Sequence, residues 1–463
     1  MRGDIDAILA QPVFERTYWG VVVKSLKTDE TLYALNARKL MMPASNMKIV
    51  TLASAAATLG WNYTYETTVR AAGVVDGGVL AGDLVVTGSG DPSLTMTDGM
   101  ADRLFADWAS RLKAAGIRVI AGRIVGDDGA FDDEELGFGW SWDDLPDDYA
   151  AGIGALQINE NAARVTVTPG LSVGAPASFD IDPTTAGLVV DNSVATAAEG
   201  GPTSIRLRRL PGSAHLAIRG TIAVGAQPVV EVVSADNPTL FFVKSLRNAL
   251  IANGIDVRGE AVDVDDVANP PPTAGAPIIT YRSPPLSQLA TRLMKASQNQ
   301  YAETLLKTLG RAAGTPSAAA GRASVQKTLE PWGIAAADLI QRDGSGLSRY
   351  DYVTADALAT ILAHVDRDQT LRGPFEASLP LAGRDGTLAN RMKGTAAEGN
   401  ARAKTGSMTN VRGLSGFVTS ADGEPLVFSI LANNFEMPAS TINAAADAIV
   451  VRLATLQRGM TKK

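Results

Sequence analysis

The chain has 463 residues, 46% of them hydrophobic and 20% charged, with a net charge of −7 and no cysteine. That length predicts two or three domains rather than one small one. The lack of Cys excludes a disulfide framework, a thiol nucleophile and a Cys-ligated zinc, and an acidic chain without a basic tract argues against nucleic acid as a partner.

In chain order, the opening MRGDIDAILAQPVF has no basic stretch followed by an apolar core, so it does not read as a secretion signal. No segment reaches the ~18 apolar residues needed to span a bilayer. YWGVVVKSLKTDETLYALN reads as a hairpin, with a β-branched run at Val21, Val22 and Val23 and a polar turn over 27–30. MMPASNMKIVTLASAAATLGW follows, an Ala- and Leu-rich helix opened by Ser45. TTVRAAGVVDGGVLAGDLVVTGSGDPS has the texture of strands cut by turns, and GMADRLFADWASRLKAAGI is an amphipathic helix ending at Gly116. The acidic, aromatic stretch GRIVGDDGAFDDEELGFGWSWDDLPDDYA shows little periodicity. From about 161 to 267 β alternation returns, interrupted by a helix over 240–253. DDVANPPPTAGAPIITY reads as an extended linker. Helical pattern then runs over 286–310 and in patches to 363, before a second hairpin turning at Asp422-Gly423 and a terminal helix over 440–456. Hairpins and helices at both ends flanking a β-rich middle predict one α/β domain split in sequence by insertion.

Three stretches carry candidate chemistry. Ser45, at a helix amino end, sits near unpaired N–H groups and the positive end of the helix dipole. Lys48 lies one turn along, so its amine and the Ser hydroxyl share a face, and burial of that face lowers the amine's pKa toward that of a base. The bland alternative is a capping Ser beside a surface Lys. In KASQNQYAETLLKTLG, Ser297 and Asn299 can point a hydroxyl and an amide into one cleft, or merely cap a helix. In ARAKTGSMTNVRGLSGFV, Lys404 and Thr405 can hold a carboxylate, Gly406 allows close backbone approach, and the N–H after the Gly can serve an oxyanion hole; the alternative is an edge-strand Lys beside a turn Gly. His215, in a strand-like segment, and His364, near a helix end, read as structural. Glu303 reads as a helix core or cap residue.

Ser-x-x-Lys, Ser-x-Asn and Lys-Thr-Gly in this order form the signature set of penicillin-binding proteins and class A β-lactamases; Ser-Gln-Asn departs only at its middle residue. More than half the chain separates Ser45 from Ser297, which requires a large insertion between the first two motifs. The chain resembles the class C low-molecular-mass penicillin-binding proteins, the D-alanyl-D-alanine carboxypeptidase/endopeptidase family of serine peptidases. The resemblance covers nearly the whole chain, including 87–94, WSWDDLPDDYA, SPPLSQLATRLMKASQNQYAETLL, RDGSGLSRYDYVT and LPLAGRDGTLANRMKGTA. It implies an α/β fold in which a β-lactamase/transpeptidase-like domain, an antiparallel sheet flanked by helices, is split by two inserted β-rich domains. The expected boundaries are 1–65 with 279–463 for the catalytic domain, 66–92 with 163–278 for the first insert and 93–162 for a second, nested insert.

The resemblance also implies roles. Ser45 is the nucleophile for a terminal D-Ala-D-Ala bond and Lys48 its base. Ser297, with Asn299 and Lys404, relays a proton to the leaving amine. The N–H groups of Ser45 and Ser407 form the oxyanion hole, and Thr405, Gly406 and Ser407 bind the substrate carboxylate end. Trp142, Asp143, Asp144 and Tyr149, with Arg349, are expected on the substrate side, suited to the amine and carboxylate of a peptidoglycan stem's third residue; a solvated acidic loop is the alternative for the Asp cluster, which lacks the EF-hand spacing of a calcium site. No metal and no cofactor are expected. The expected partners are peptidoglycan stem peptides and, as covalent inhibitors, β-lactams, in an exported, periplasmic or cell-envelope setting. A weak membrane association and a homo-oligomer stay open, as do a β-lactamase or esterase on the same scaffold and a non-catalytic penicillin-binding sensor.

Overall fold

The computed structural model describes residues 1–271 and 275–458; residues 272–274, inside the expected linker, and 459–463 lie outside the described residues. Two compact units result. One comprises Met1–Tyr63, Gly137–Gly139 and Pro285–Lys463, the other Thr64–Leu136 and Trp140–Pro284.

The first unit is built on a five-stranded antiparallel sheet, in the order Arg402–Met408, Val411–Thr419, Pro425–Asn433, Tyr18–Ser25, Thr31–Leu35. Both hairpins expected from the sequence are present, and Tyr18–Ser25 pairs with Pro425–Asn433, so the two ends of the chain meet in the middle of the sheet. Alternation along Tyr18–Ser25 sends Trp19, Val21 and Val23 into a core with Phe428, Ile430, Ile449 and Leu453. Each such buried aliphatic or aromatic side chain contributes roughly 1.5–3 kcal/mol. The helices Arg2–Leu9 and Ala439–Ala454 supply residues to this core. The other face of the same strand meets the Ala355–Arg367 helix: Lys24 pairs with Asp356 at 2.7 Å and bonds Thr360 at 3.1 Å. Gly20 has no room for a side chain there, because Met41 and Ala355 occupy the space. His364 stacks on Trp332 at 4.0 Å on this helix, in keeping with a structural role.

The second unit carries the β-rich middle. Its largest sheet runs Asp256–Val257, Val119–Ile120, Val79–Gly88, Glu66–Asp76, Ile279–Arg282, with Ile124–Asp127 and Ala261–Asp263 attached to it. Val119–Ile120 and Ile124–Asp127 pair in parallel with Val79–Gly88, so segments on either side of position 92 share one sheet. Two three-stranded sheets add Val189–Ala197, His215–Ala223 and Ser204–Arg208, and Val229–Ser234, Ala162–Thr168 and Ser178–Asp182. The helices Met100–Ala114 and Pro238–Ala252 pack through Phe105, Trp108 and Phe242, whose rings lie 5.5–6.4 Å apart. Asn237 caps the second of these helices by accepting the Leu240 N–H at 2.6 Å. Buried Arg209 donates to the Ser234, Ala235 and Leu145 carbonyls.

Candidate active site

The Ser45 segment is not a plain helix start. Ala44 has a φ of +46°, Ala44–Asn46 forms a 3-10 turn, and the α-helix itself begins at Met47 and runs to Leu59. The sequence reading, which opened the helix at Ser45, is corrected by that turn, and no side-chain cap bond forms there. The i, i+3 spacing nevertheless does what it promised: Lys48 Nζ lies 2.9 Å from Ser45 Oγ. Residues 47–56 are all buried, and Lys48 is 0% exposed. Its amine also donates to Asn299 Oδ1 at 2.6 Å and to the Ser345 carbonyl at 2.9 Å.

The second motif straddles a helix start, which puts the residue at which it departs from Ser-Asp-Asn at the cap. Gln298 is the N-cap of the Asn299–Ala312 helix, its side-chain oxygen accepting the Gln300 N–H at 3.1 Å. The middle residue therefore serves the helix. Its neighbours serve the site: Ser297, in left-handed backbone at φ +63°, accepts from Lys404 Nζ at 2.8 Å, and Asn299, the first helical residue, meets Lys48.

Lys404 lies on the edge strand Arg402–Met408, is 0% exposed, and also donates to the Thr405 carbonyl at 2.9 Å. Gly406 follows two residues on. A side chain there would strike the Pro43 carbonyl and would come within 2.7 Å of Asn46 Nδ2, so this glycine admits the protein's own Ser45 turn against the strand. Thr405 donates to Thr387 Oγ1 at 2.7 Å, and Ser407 is exposed.

A fourth element was not singled out chemically from the sequence. In RDGSGLSRYD, buried carboxylates organise the backbone of 342–348. Glu303 accepts the N–H groups of Gly344 and Ser345, both at 2.8 Å. Asp343 accepts those of Gly346 and Ser348 at 2.6 and 2.7 Å, and Asp351 accepts that of Arg342 at 2.5 Å. Thr51 donates to the Gly344 carbonyl at 2.7 Å. Gly346, at φ +84°, has the Ala44 carbonyl where a side chain would be. The turn thus faces the Ser45 segment and presents the Ser345 carbonyl to Lys48.

Burial sets the electrostatics. It pushes the Lys48 amine down to about 7, against the opposing pull of the Asp343, Glu303 and Asp351 carboxylates. Burial, and then the positive charge of Lys48, pushes Lys404 well below its ordinary value. Burial and the Asp343 charge push Glu303 up to about 8, with the Gly344 and Ser345 N–H groups working the other way. Asp351 is raised by burial and by Asp343.

The five residues expected to be catalytic fall into two directly bonded sets, Ser45 and Asn299 on Lys48, and Ser297 on Lys404, with Ser297 and Asn299 two residues apart in the chain. Arg349, in the same unit, is exposed. Of the expected substrate-side residues in the second unit, Trp142 and Asp143 are exposed and Arg208 lies over the Trp142 ring at 5.3 Å. Tyr149 donates toward Asp144 Oδ1 and Asp147 Oδ2, which lie 2.9 and 2.8 Å from its hydroxyl. Ser345 and Glu303 are the site residues that sequence reasoning missed; the signal was the Gly-Ser-Gly run between two Asp. Among the described residues, Asp128, Asp263 and Asp265 are the carboxylates close enough to share a cation, with ligand atoms within 4.8 Å, and Asp263 already accepts from Asn237 at 2.8 Å.

An antiparallel sheet backed by the helices of both termini, with Ser-x-x-Lys at a helix start and Lys-Thr-Gly on the edge strand, defines a penicillin-binding, β-lactamase-like fold. The model of the D-Ala-D-Ala carboxypeptidase 3 (S13) family matches residues 1–456, and the chain belongs to that family. It is a serine-type D-Ala-D-Ala carboxypeptidase by that membership. It is 36% identical to the D-alanyl-D-alanine carboxypeptidase of Actinomadura sp. (strain R39), over 98% of this chain and 84% of that one. It is 27% identical to the carboxypeptidase DacB of Haemophilus influenzae, over 92% and 88%. The crystal structure of penicillin binding protein 4 from Haemophilus influenzae superposes with a TM-score of 0.87 at 24% identity, covering 98% of this chain and 100% of that one. A predatory peptidoglycan endopeptidase from Bdellovibrio bacteriovorus shares the fold with a TM-score of 0.54 at 15% identity, covering 96% of each chain. Among the described residues, no helix is long and apolar enough to cross a membrane.

Proposed function

We propose that Ser45 is the acylated nucleophile and Lys48 its base. The observation that carries this is the three-way setting of the Lys48 amine. A neutral amine has two N–H donors and one lone pair. With Asn299 Oδ1 and the Ser345 carbonyl taking the donors, the lone pair faces Ser45 Oγ at 2.9 Å. A pKa of about 7 makes that neutral form accessible near neutrality.

Ser45 Oγ then attacks the carbonyl carbon of the terminal D-Ala-D-Ala peptide bond and its proton passes to Lys48. The Ser45 and Ser407 N–H groups receive the developing oxyanion. The leaving D-Ala amine takes a proton through Ser297, which Lys404 holds at 2.8 Å. Thr405 and Ser407, beside the Lys404 charge, hold the terminal carboxylate, and water hydrolyses the acyl-serine. Peptidoglycan stem peptides are the substrates, β-lactams acylate the same oxygen, and the wall as substrate places the enzyme in the cell envelope. Arg349 offers a partner for a carboxylate on the stem, and Asp143 one for an amine.

A β-lactamase needs a base to activate the deacylating water. Glu303 is the buried acid nearest in sequence to Ser297-Gln298-Asn299, and both of its oxygens are taken by backbone N–H groups. That favours a slowly released penicillin adduct. The test is labelling with a fluorescent penicillin beside D-Ala release from a stem pentapeptide. Both are expected in the parent chain and neither in Ser45→Ala; labelling that survives Ser45→Ala sinks the assignment.

A further inference from the structure

We propose that Glu303 is a positioning residue for acylation: its carboxylate fixes the 343–346 turn so that the Ser345 carbonyl holds the Lys48 amine aimed at Ser45. The inference rests on the assignment of Ser45 and Lys48 above and extends it to a residue outside the three motifs.

Asn299 and Glu303 are four residues apart on one helix, and so lie on one face of it. Asn299 bonds Lys48 directly. Glu303, one turn deeper and 4% exposed, bonds the two consecutive N–H groups that flank the Gly344–Ser345 peptide. The Gly344 carbonyl takes Thr51 from the Lys48 helix, and the next carbonyl, that of Ser345, takes Lys48 itself. One helix therefore positions both acceptors of the amine, one by contact and one through the turn. Gly344 is held tightly, since a side chain on it would come within 2.5 Å of the Ala302 carbonyl on that same helix.

The turn cannot supply this order from its own backbone. A run of Asp-Gly-Ser-Gly has high conformational freedom, and its buried N–H groups need acceptors. A carboxylate with two oxygens satisfies adjacent N–H groups at once, and an amide cannot, because its NH2 would face a donor. The charges around Glu303 are Lys48 from the Met47–Leu59 helix, Asp343 and Asp351 from the turn segment, and Lys307 one turn along its own helix. Glu303 is itself raised to about 8, so its anion supports the Lys48 ammonium only toward the alkaline side of the profile; an amide at 303 removes that support and leaves the amine to titrate lower.

The experiment measures the second-order rate of acylation by a fluorescent penicillin between pH 5 and 9, in the parent chain, Glu303→Gln, Glu303→Asp and Thr51→Val, with thermal unfolding in parallel. Glu303→Gln is expected to lose about 10- to 100-fold at its optimum, as for a misplaced catalytic group, and to move its acidic limb to lower pH. Thr51→Val, which frees the Gly344 carbonyl and the Gln341 amide but removes no charge, is expected to lose rate without moving that limb. If Glu303→Gln does not fold, Glu303→Asp decides: it keeps the charge but is one methylene shorter, so its rate should fall with the limb in place. A folded Glu303→Gln with the parent rate and limb, or a folded Glu303→Asp with the parent rate, overturns the proposal. So does a loss that only follows the unfolded fraction. Failure of the underlying assignment is read separately, as labelling that survives Ser45→Ala.

Discussion

Gly406 passes against the Pro43 carbonyl, so the strand bearing Lys404 and the turn bearing Ser45 meet backbone to backbone. The glycine of Lys-Thr-Gly invited the reading that substrate needs the space; the space is already filled by the chain itself. Gly413 on the neighbouring strand is shaped by the same neighbour, Asn46, whose amide also donates to the Pro43 carbonyl at 3.4 Å.

Gly406→Ala should therefore damage acylation by moving Ser45 relative to Lys404, in the unliganded protein. Overpacking of this kind costs about 1–3 kcal/mol. Thermal unfolding should report that loss, and penicillin labelling should slow. An alanine variant with parent stability and parent labelling rate would show that the strand and the turn have slack between them.

Acylation should follow the Lys48 amine. The ammonium has no lone pair, so the rate should fall tenfold per unit below an apparent pKa of about 7 and level off above it. Lys48→Ala should lose about 10²- to 10⁴-fold at pH 8, the range for a positioned general base. A profile flat from pH 5 to 8 would remove Lys48 from the proton path.

Ser297→Ala should separate two reactions. Peptide cleavage expels an amine that needs a proton, whereas a β-lactam's leaving nitrogen stays tethered in a strained, opening ring. D-Ala release should fall by about 10²- to 10⁴-fold and penicillin labelling by much less. Equal losses in both would place Ser297 in the first proton transfer.

Asp91 in the second unit carries a stability prediction. It is 3% exposed; one oxygen accepts from the Ser93 N–H and hydroxyl at 2.8 and 2.7 Å, and the other has no hydrogen-bond partner among the described residues. Burial raises its pKa from 3.8 to about 6. Between those values the folded chain binds the proton that the unfolded chain has released. This residue's contribution to stability thus falls as pH rises from about 4 to 6, by about 3 kcal/mol, and is level above. Asp91→Asn keeps an acceptor for Ser93 and removes the titration. Denaturant unfolding should show the parent-minus-variant difference sloping over that window and flat elsewhere; a difference flat from pH 4 to 8 would contradict it.

Local pattern made much of this legible. Two hairpins, the one-turn spacing of Ser45 and Lys48, and the split of the first unit across the chain all follow from periodicity and turn residues. What was missed is non-local. Glu303 read as a core or cap residue because its acceptors' partners, Gly344 and Ser345, lie 41 and 42 positions away. The parallel pairing of Val189–Ala197 with His215–Ala223 is equally invisible, since alternation shows that a strand is half-buried and not which strand lies beside it. The 3-10 turn at Ala44–Asn46 depends on Gly406 and Gly346, two glycines remote in sequence that leave room for the carbonyls of Pro43 and Ala44.

The two buried lysines have a joint consequence. Each amine sits without solvent, and the charge of Lys48 weakens the hold of Lys404 on its own proton. Such coupling is mutual, so charge on Lys404 loosens the proton on Lys48 to the same degree. The two amines consequently disfavour carrying charge at the same time. Under the proposed roles, a proton passed from the Ser45 hydroxyl to Lys48 puts repulsion on Lys404, the amine that touches Ser297, and favours release of a proton toward the departing D-Ala. On that proposal, bond making on one side of the substrate and protonation on the other are linked through the repulsion of two like charges, with no moving part between them.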